Sequence, residues 1–335
     1  MRGPVGRRLA DVVCHILPGS IFVIWGAWWA FNVCVSILRA SPSRPYKAQP
    51  WFRVGWRRLA ALEPLTKVLL PFLAISVELY WDHKDYRYLY CPPGTKWAGR
   101  FAVTHMNNWQ HTSIYPGFVL SGVVDLLCLA GVPLPPGTGQ GVLSLAFAVM
   151  SFLMAAHKKH EALDAAVHGL LFGAMLLVTL ALWAEAARPR SPGFGLARAA
   201  ATVFLGAWLC QVGIIEFDGL PQWSTDYMGS SMFAPVVFAM MALLVVSALL
   251  AFYSSLAALL RFGLLPQAAP AVAGSGADGG ARLGLEEARS SGPFESNPLL
   301  KPEARAAYSS LRRARGSSSS EDDAEHARAV VHIPV

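Results

Sequence analysis

Seven long apolar stretches constrain this chain more than any other feature. They run over about residues 15–37, 60–80, 108–131, 139–157, 164–186, 197–217 and 232–260. A helix that crosses the hydrocarbon core of a bilayer needs roughly 20 apolar residues, and each stretch is close to that length. The pattern predicts an all-α fold: a polytopic membrane protein built as a seven-transmembrane-helix bundle. The second stretch is the weakest, because it contains Glu63, Lys67 and Glu78, and the third contains Asp125. Every connection is short except 38–59 and 81–107.

Composition agrees. Charged residues make up 15% of the 335 and hydrophobic residues 54%, with a mean hydropathy of +0.40, whereas soluble domains carry about 25% charged residues. The net charge of +7 comes without the spacing of a nucleic-acid reader and fits basic residues flanking membrane spans. The expected partner is the lipid bilayer, with no nucleic acid. Cys14, Cys34, Cys128 and Cys210 fall in apolar runs and Cys91 in a loop, a scattered set that is no disulfide framework. The first apolar run is too long and too rich in tryptophan for a cleaved signal peptide, so it reads as a retained span.

Residues 1–262 form the expected membrane domain and 263–335 a Ser/Ala/Gly-rich tail, too polar to offset its ordering entropy and read as disordered. Lys/Arg counting over the loops nearly balances. The density of Arg39, Arg44, Lys47, Arg53, Arg57 and Arg58 in the 38–59 loop tips the tail, which shares that side, toward the cytoplasm. In "ESNPLL" Glu295 stands four residues ahead of Leu299–Leu300. This is the form of an acidic dileucine sorting motif read by clathrin adaptors from the cytoplasm; a chance match in a polar tail is the alternative.

The polar residues of the spans fall in register. His15 opens the first span and Glu78 closes the second. Asn108, Gln110 and His111 open the third, and His157 closes the fourth. His160, Asp164 and His168 open the fifth, and Gln211 and Glu216 close the sixth. Starts of odd spans and ends of even spans share one face of the membrane, the side of the N-terminus; only Asp125 falls clearly on the other. Ionisable groups inside a bilayer usually face the bundle interior and pair or line a pathway. The register therefore predicts a polar chamber in the N-terminal-side leaflet. With a cytoplasmic tail that leaflet is lumenal.

Helix geometry tests a metal reading of the 157–168 stretch. His160, Asp164 and His168 lie within about an 80° arc of one helix, but His160 and His168 are about 12 Å apart along its axis. They cannot share one ion. Asp164 and His168 form an i, i+4 pair that either locks neighbouring helices by hydrogen bonding or supplies two ligands of a zinc site whose others come from elsewhere. His111, Asp164 and His168 are the candidate metal set, with His15 and Glu78 as further donors. His157 with Lys158 and Lys159 reads as an interfacial turn. Trp25, Trp28 and Trp29 read as packing, and Trp51, Phe52 and Trp56 as residues lying on the anionic leaflet. No nucleophile elbow, phosphate loop or HExxH motif is present, so no catalytic residue is assigned.

"HILPGSIFVIWGAWW", "MNNWQHTSIYPGFVLSGVVDLL", "HKKHEALDAAVHGLLFGAM" and "LGAWLCQVGIIEF" resemble the transmembrane protein 45 family, the group that includes the transmembrane epididymal proteins. The resemblance runs in order from residue 11 to about 262. It implies a seven-span membrane protein of Golgi or endolysosomal membranes and no particular reaction, ligand or cofactor. His15, Asn108, Gln110, His111, Asp125, His160, Asp164, His168 and Gln211 match the family's pattern. Glu216 with "DGLPQW" departs from it, so the resemblance does not place Glu216 in a shared site.

The leading expectation is a non-enzymatic multi-pass protein of the secretory or endolysosomal system, or of the plasma membrane, with a polar chamber of unassigned ligand. The alternatives are a metal-dependent intramembrane hydrolase acting on lipid, with zinc as its cofactor, and a proton-coupled carrier.

Overall fold

A computed structural model describes residues 4–55, 59–80, 87–157, 161–217, 221–225 and 227–263. Glu295, Leu299 and Leu300 of the sorting motif, and His160, lie outside the described residues. Among the described residues seven long helices follow one another: α1 (Pro4–Leu38), α2 (Leu62–Tyr80), α3 (Met106–Leu129), α4 (Thr138–Ala156), α5 (Ala162–Ala187), α6 (Pro192–Phe217) and α7 (Met228–Arg261). Their ends follow local chemistry. Three prolines at 133, 135 and 136 bar any continuation of α3 into α4. The joint turns instead on Gly131 and Gly137, whose φ of 86° and 84° suit a residue without a Cβ. Pro192 opens α6 at the first helical position, where a missing N–H leaves no bond unmade.

Six of the described helices, not seven, are long and apolar enough to cross a membrane. The exception is α2, and the reason is where its charges point. Glu63, Lys67 and Glu78 are buried, whereas Leu65, Leu69, Phe72 and Leu73 are exposed. The helix is apolar toward lipid and ionic toward the bundle, so its average hydropathy falls although its outer face suits a bilayer.

Helix α1 packs chiefly on α6, α2 on α3, α4 on both α3 and α5, and α5 on α6; α7 lies outermost against α5 and α6. The α1–α6 seam is set by small residues, which let the two backbones come close. A Cβ on Gly206 would stand 2.5 Å from the Gly19 carbonyl oxygen and the Val23 nitrogen, and one on Gly213 3.0 Å from the His15 Cβ.

The bundle is layered along its axis with a heptad register. His15, Phe22 and Trp29 follow at seven-residue steps on α1, and His111, Phe118 and Asp125 do so on α3. Seven residues are almost two full turns, about 10.5 Å of rise, so each helix presents a polar group, a phenyl ring and a polar group to successive levels. At the middle level the rings of Phe22, Phe118 and Phe147 meet, with centroids 5.1 to 5.9 Å apart.

Candidate functional site

The polar level nearer the N-terminus is a row of side chains from α1 to α6. At one end Asn108 on α3 donates its amide to the Glu78 carbonyl (3.1 Å) and carboxylate (3.2 Å). His111 Nδ1 stands 3.3 Å from Glu78 Oε1. The His111 ring lies 5.4 Å from that of His157, and His157 lies 5.7 Å from His168. His157 ends α4 in an extended conformation (φ −74°, ψ 106°), and its Nδ1 is 2.7 Å from Gln110 Oε1. At the other end His168 Nδ1 faces the Asp164 carboxylate at 2.7 Å and Glu216 Oε1 at 3.3 Å. The His15 ring meets His168 edge-on at 6.2 Å.

Of the predicted chamber residues, His15, Glu78, Asn108, Gln110, His111, Asp164 and His168 therefore lie in this row. Gln211 is half-buried and no described hydrogen bond joins it to them. Two residues read otherwise from sequence are inside it. His157, at the end of α4, is buried with its ring between two other imidazoles. Glu216 shares His168 with Asp164. The signal for both was their position at the ends of even-numbered spans. The crevice lined by Gln110, His111, Ile114, Leu153, Met154 and His157 is too narrow for a water-sized molecule.

Metal-ligand geometry falls on a different triad from the expected one. The donor atoms of His15, His168 and Glu216 all lie within 4.8 Å of one another, whereas His111 is separated from His168 by the His157 ring.

The opposite level holds a second network that sequence reading did not assemble. Glu63 accepts the indole N–H of Trp28 (2.9 Å) and of Trp29 (2.8 Å) and the backbone N–H of Phe52 (3.0 Å). Lys67 Nζ lies 2.7 Å from Asp125 Oδ2 and 3.6 Å from Glu63 Oε1. Arg198 lies near the start of α6. It is fully buried, its Nε 3.1 Å from Glu185 Oε2, its guanidinium donating to the Gln49 and Pro50 carbonyls and lying 4.6 Å from the Trp29 ring centre. Consequently Trp51 and Phe52 are buried under the bundle rather than lying on a lipid leaflet. Tyr46 is buried here too, at the one place where Gly195 leaves room: a Cβ on Gly195 would fall on the Tyr46 hydroxyl and 3.3 Å from Glu185 Oε1. Burial pushes the Tyr46 phenol well above its ordinary pKa, the Glu185 carboxylate adds to the rise, and Arg198 opposes it.

Six apolar spans around internally paired ionic groups define an integral, multi-pass membrane protein. Residues 136–254, from α4 through most of α7, match the family described as "Family of unknown function (DUF716)". Over 150 residues, 43% of this chain, it is 29% identical to human (Homo sapiens) transmembrane epididymal protein 1, and it spans 55% of the length of that curated relative. Both agree with the resemblance to the transmembrane protein 45 family carried by the sequence motifs. The family match takes in His157, Asp164, His168 and Glu216, and leaves out His15, Glu78 and His111.

Proposed function

We propose that the protein is a non-enzymatic, cation-binding membrane protein of the secretory or endolysosomal system, with the histidine–carboxylate row as its working element in the lumenal leaflet. One observation carries this reading: His111, His157 and His168 stand ring to ring at 5.4 and 5.7 Å, flanked by the carboxylates of Glu78, Asp164 and Glu216. Three acids among imidazoles in a low-dielectric layer favour a bound cation or proton over any neutral ligand. The Phe22–Phe118–Phe147 level separates the two polar levels, which weighs against a proton-coupled carrier. The endolysosomal location rests on Glu295, Leu299 and Leu300, with clathrin adaptors as the partner.

The test is a pH titration of histidine-labelled protein in nanodiscs followed by NMR. Sites that act as one set titrate together. His157→Gln in the middle of the row is expected to shift the midpoints of His111 and His168 by about half a unit or more. Unchanged midpoints would mean that the histidines act separately, and the reading would fall. For the location, Leu299→Ala with Leu300→Ala should raise the surface-exposed fraction; an unchanged distribution would remove the sorting role.

A further inference from the structure

Among the described residues, metal-ligating atoms converge at one end of the row. At the Glu78 end, His157 Nδ1 is engaged by Gln110 and Glu78 by Asn108. At the α1–α5–α6 end, His15, His168 and Glu216 bring donor atoms within 4.8 Å from three helices distant in sequence. We propose that these three residues bind a divalent transition-metal ion, for which zinc is the fitting probe, with Asp164 holding the His168 ring. The proposal rests on the reading of the row as cation-binding and names its ion and its place.

Three observations favour it. Two neutral imidazoles and a carboxylate are a donor set that zinc accepts, with bonds of about 2.0–2.2 Å and a fourth position left for solvent. Ligand atoms at such distances around a tetrahedral ion stand about 3.3 Å apart, so the widest edge has to close by roughly 1.5 Å, a side-chain adjustment. Next, two carboxylates converge on one nitrogen: Asp164 and Glu216 both face His168 Nδ1, at 2.7 and 3.3 Å. One ring proton satisfies only one of the two acids. A dication held by His168 Nε2 would leave the Nδ1 proton to Asp164, the usual support of a metal-bound histidine, and take Glu216 as its carboxylate ligand. Finally, the backbone is arranged for close approach: Gly213 on α6 lies directly against the His15 Cβ, which is what brings His15 within reach of Glu216 one helical turn further on.

The experiment uses the full chain in nanodiscs, stripped by chelation, exposed to zinc chloride, desalted and assayed by elemental analysis. Wild type should retain about one zinc per chain, and His15→Ala with Glu216→Gln almost none; Asp164→Asn should weaken retention by roughly 10- to 100-fold. His105→Ala, outside the row on the Tyr88 carbonyl, should retain zinc as wild type does. Retention by His15→Ala with Glu216→Gln, with loss in His111→Ala with Glu78→Gln, overturns the triad while leaving a cation-binding row. Absence of zinc from wild type overturns the metal site, and the NMR titration then decides the row independently. Zinc-edge X-ray absorption of the wild type avoids any variant that fails to fold: two imidazoles with oxygen are expected, and sulfur or fewer than two imidazoles refutes the assignment.

Discussion

Lys67 Nζ and Asp125 Oδ2 lie 2.7 Å apart, and neither side chain is exposed. Desolvating two charges is expensive, and the pair is favourable only while both partners are present. Lys67→Met leaves Asp125 and Glu63 without their cation, so it should lower stability by about 3–5 kcal/mol, read as the thermal midpoint in micelles. Lys67→Met combined with Asp125→Leu should recover most of that loss. A double variant as unstable as the single one would show that the pair does more than neutralise itself.

Arg198 is the hook that holds residues 46–53 under the bundle, through the Gln49 and Pro50 carbonyls. Arg198→Ala strands Glu185 and releases both carbonyls. Trypsin cleavage after Lys47 and Arg53 should then speed up by about 100-fold, the equivalent of roughly 3 kcal/mol at 1.4 kcal/mol per tenfold. Unaltered cleavage would mean that the segment is held by its buried aromatic residues alone.

Packing of α1 on α6 is decided at Gly206, where a Cβ would meet backbone atoms at 2.5 Å. Gly206→Ala should destabilise by about 1–3 kcal/mol through overpacking. Gly173→Ala on α5 meets open space and should stabilise by about 0.5–1 kcal/mol. The sign of the difference in thermal midpoint between the two variants is the check.

The Tyr46 phenol, raised by burial and by Glu185, gives a pH dependence of definite sign. Its folded pKa lies above the unfolded value near 10, so the folded state keeps a proton that the unfolded state loses. The stability it contributes is therefore complete below about pH 10 and declines as pH rises beyond it. Tyr46→Phe, which removes a hydroxyl without a hydrogen-bond partner, should leave neutral-pH stability nearly unchanged and flatten the alkaline decline between pH 9.5 and 11.5, a window set at about the free phenol value. An identical alkaline slope in the variant would place the titration elsewhere.

The two polar levels differ in how far they can be read from residue order. The row of His15, Glu78, His111 and Asp164 was legible because each lies near the end of an apolar run, and alternation of helix direction puts those ends on one side. The ionic network was not. Glu63 and Lys67 lowered the hydropathy of their run and read as blemishes, Glu185 sat unremarked inside the fifth run, and Arg198 stood unremarked at the start of the sixth. Nothing local distinguishes a charge pointing into a bundle from one pointing out of it. Trp28, Trp29 and Phe52 had the same ambiguity, since an aromatic residue near a span end suits an interfacial belt as well as a buried carboxylate.

Hydrophobic length determined the class of this protein, because a run of about 20 apolar residues has few other stable fates than a membrane-crossing helix. Proline and glycine determined where the α3–α4 joint falls. Tertiary structure decided which charges are partners, that Glu216 and His157 belong to the row, and that His15 rather than His111 stands beside Glu216 and His168. Those choices depend on helix neighbours and azimuths, above all the close α1–α6 approach at Gly206 and Gly213, and they arise from packing between residues some 200 positions apart.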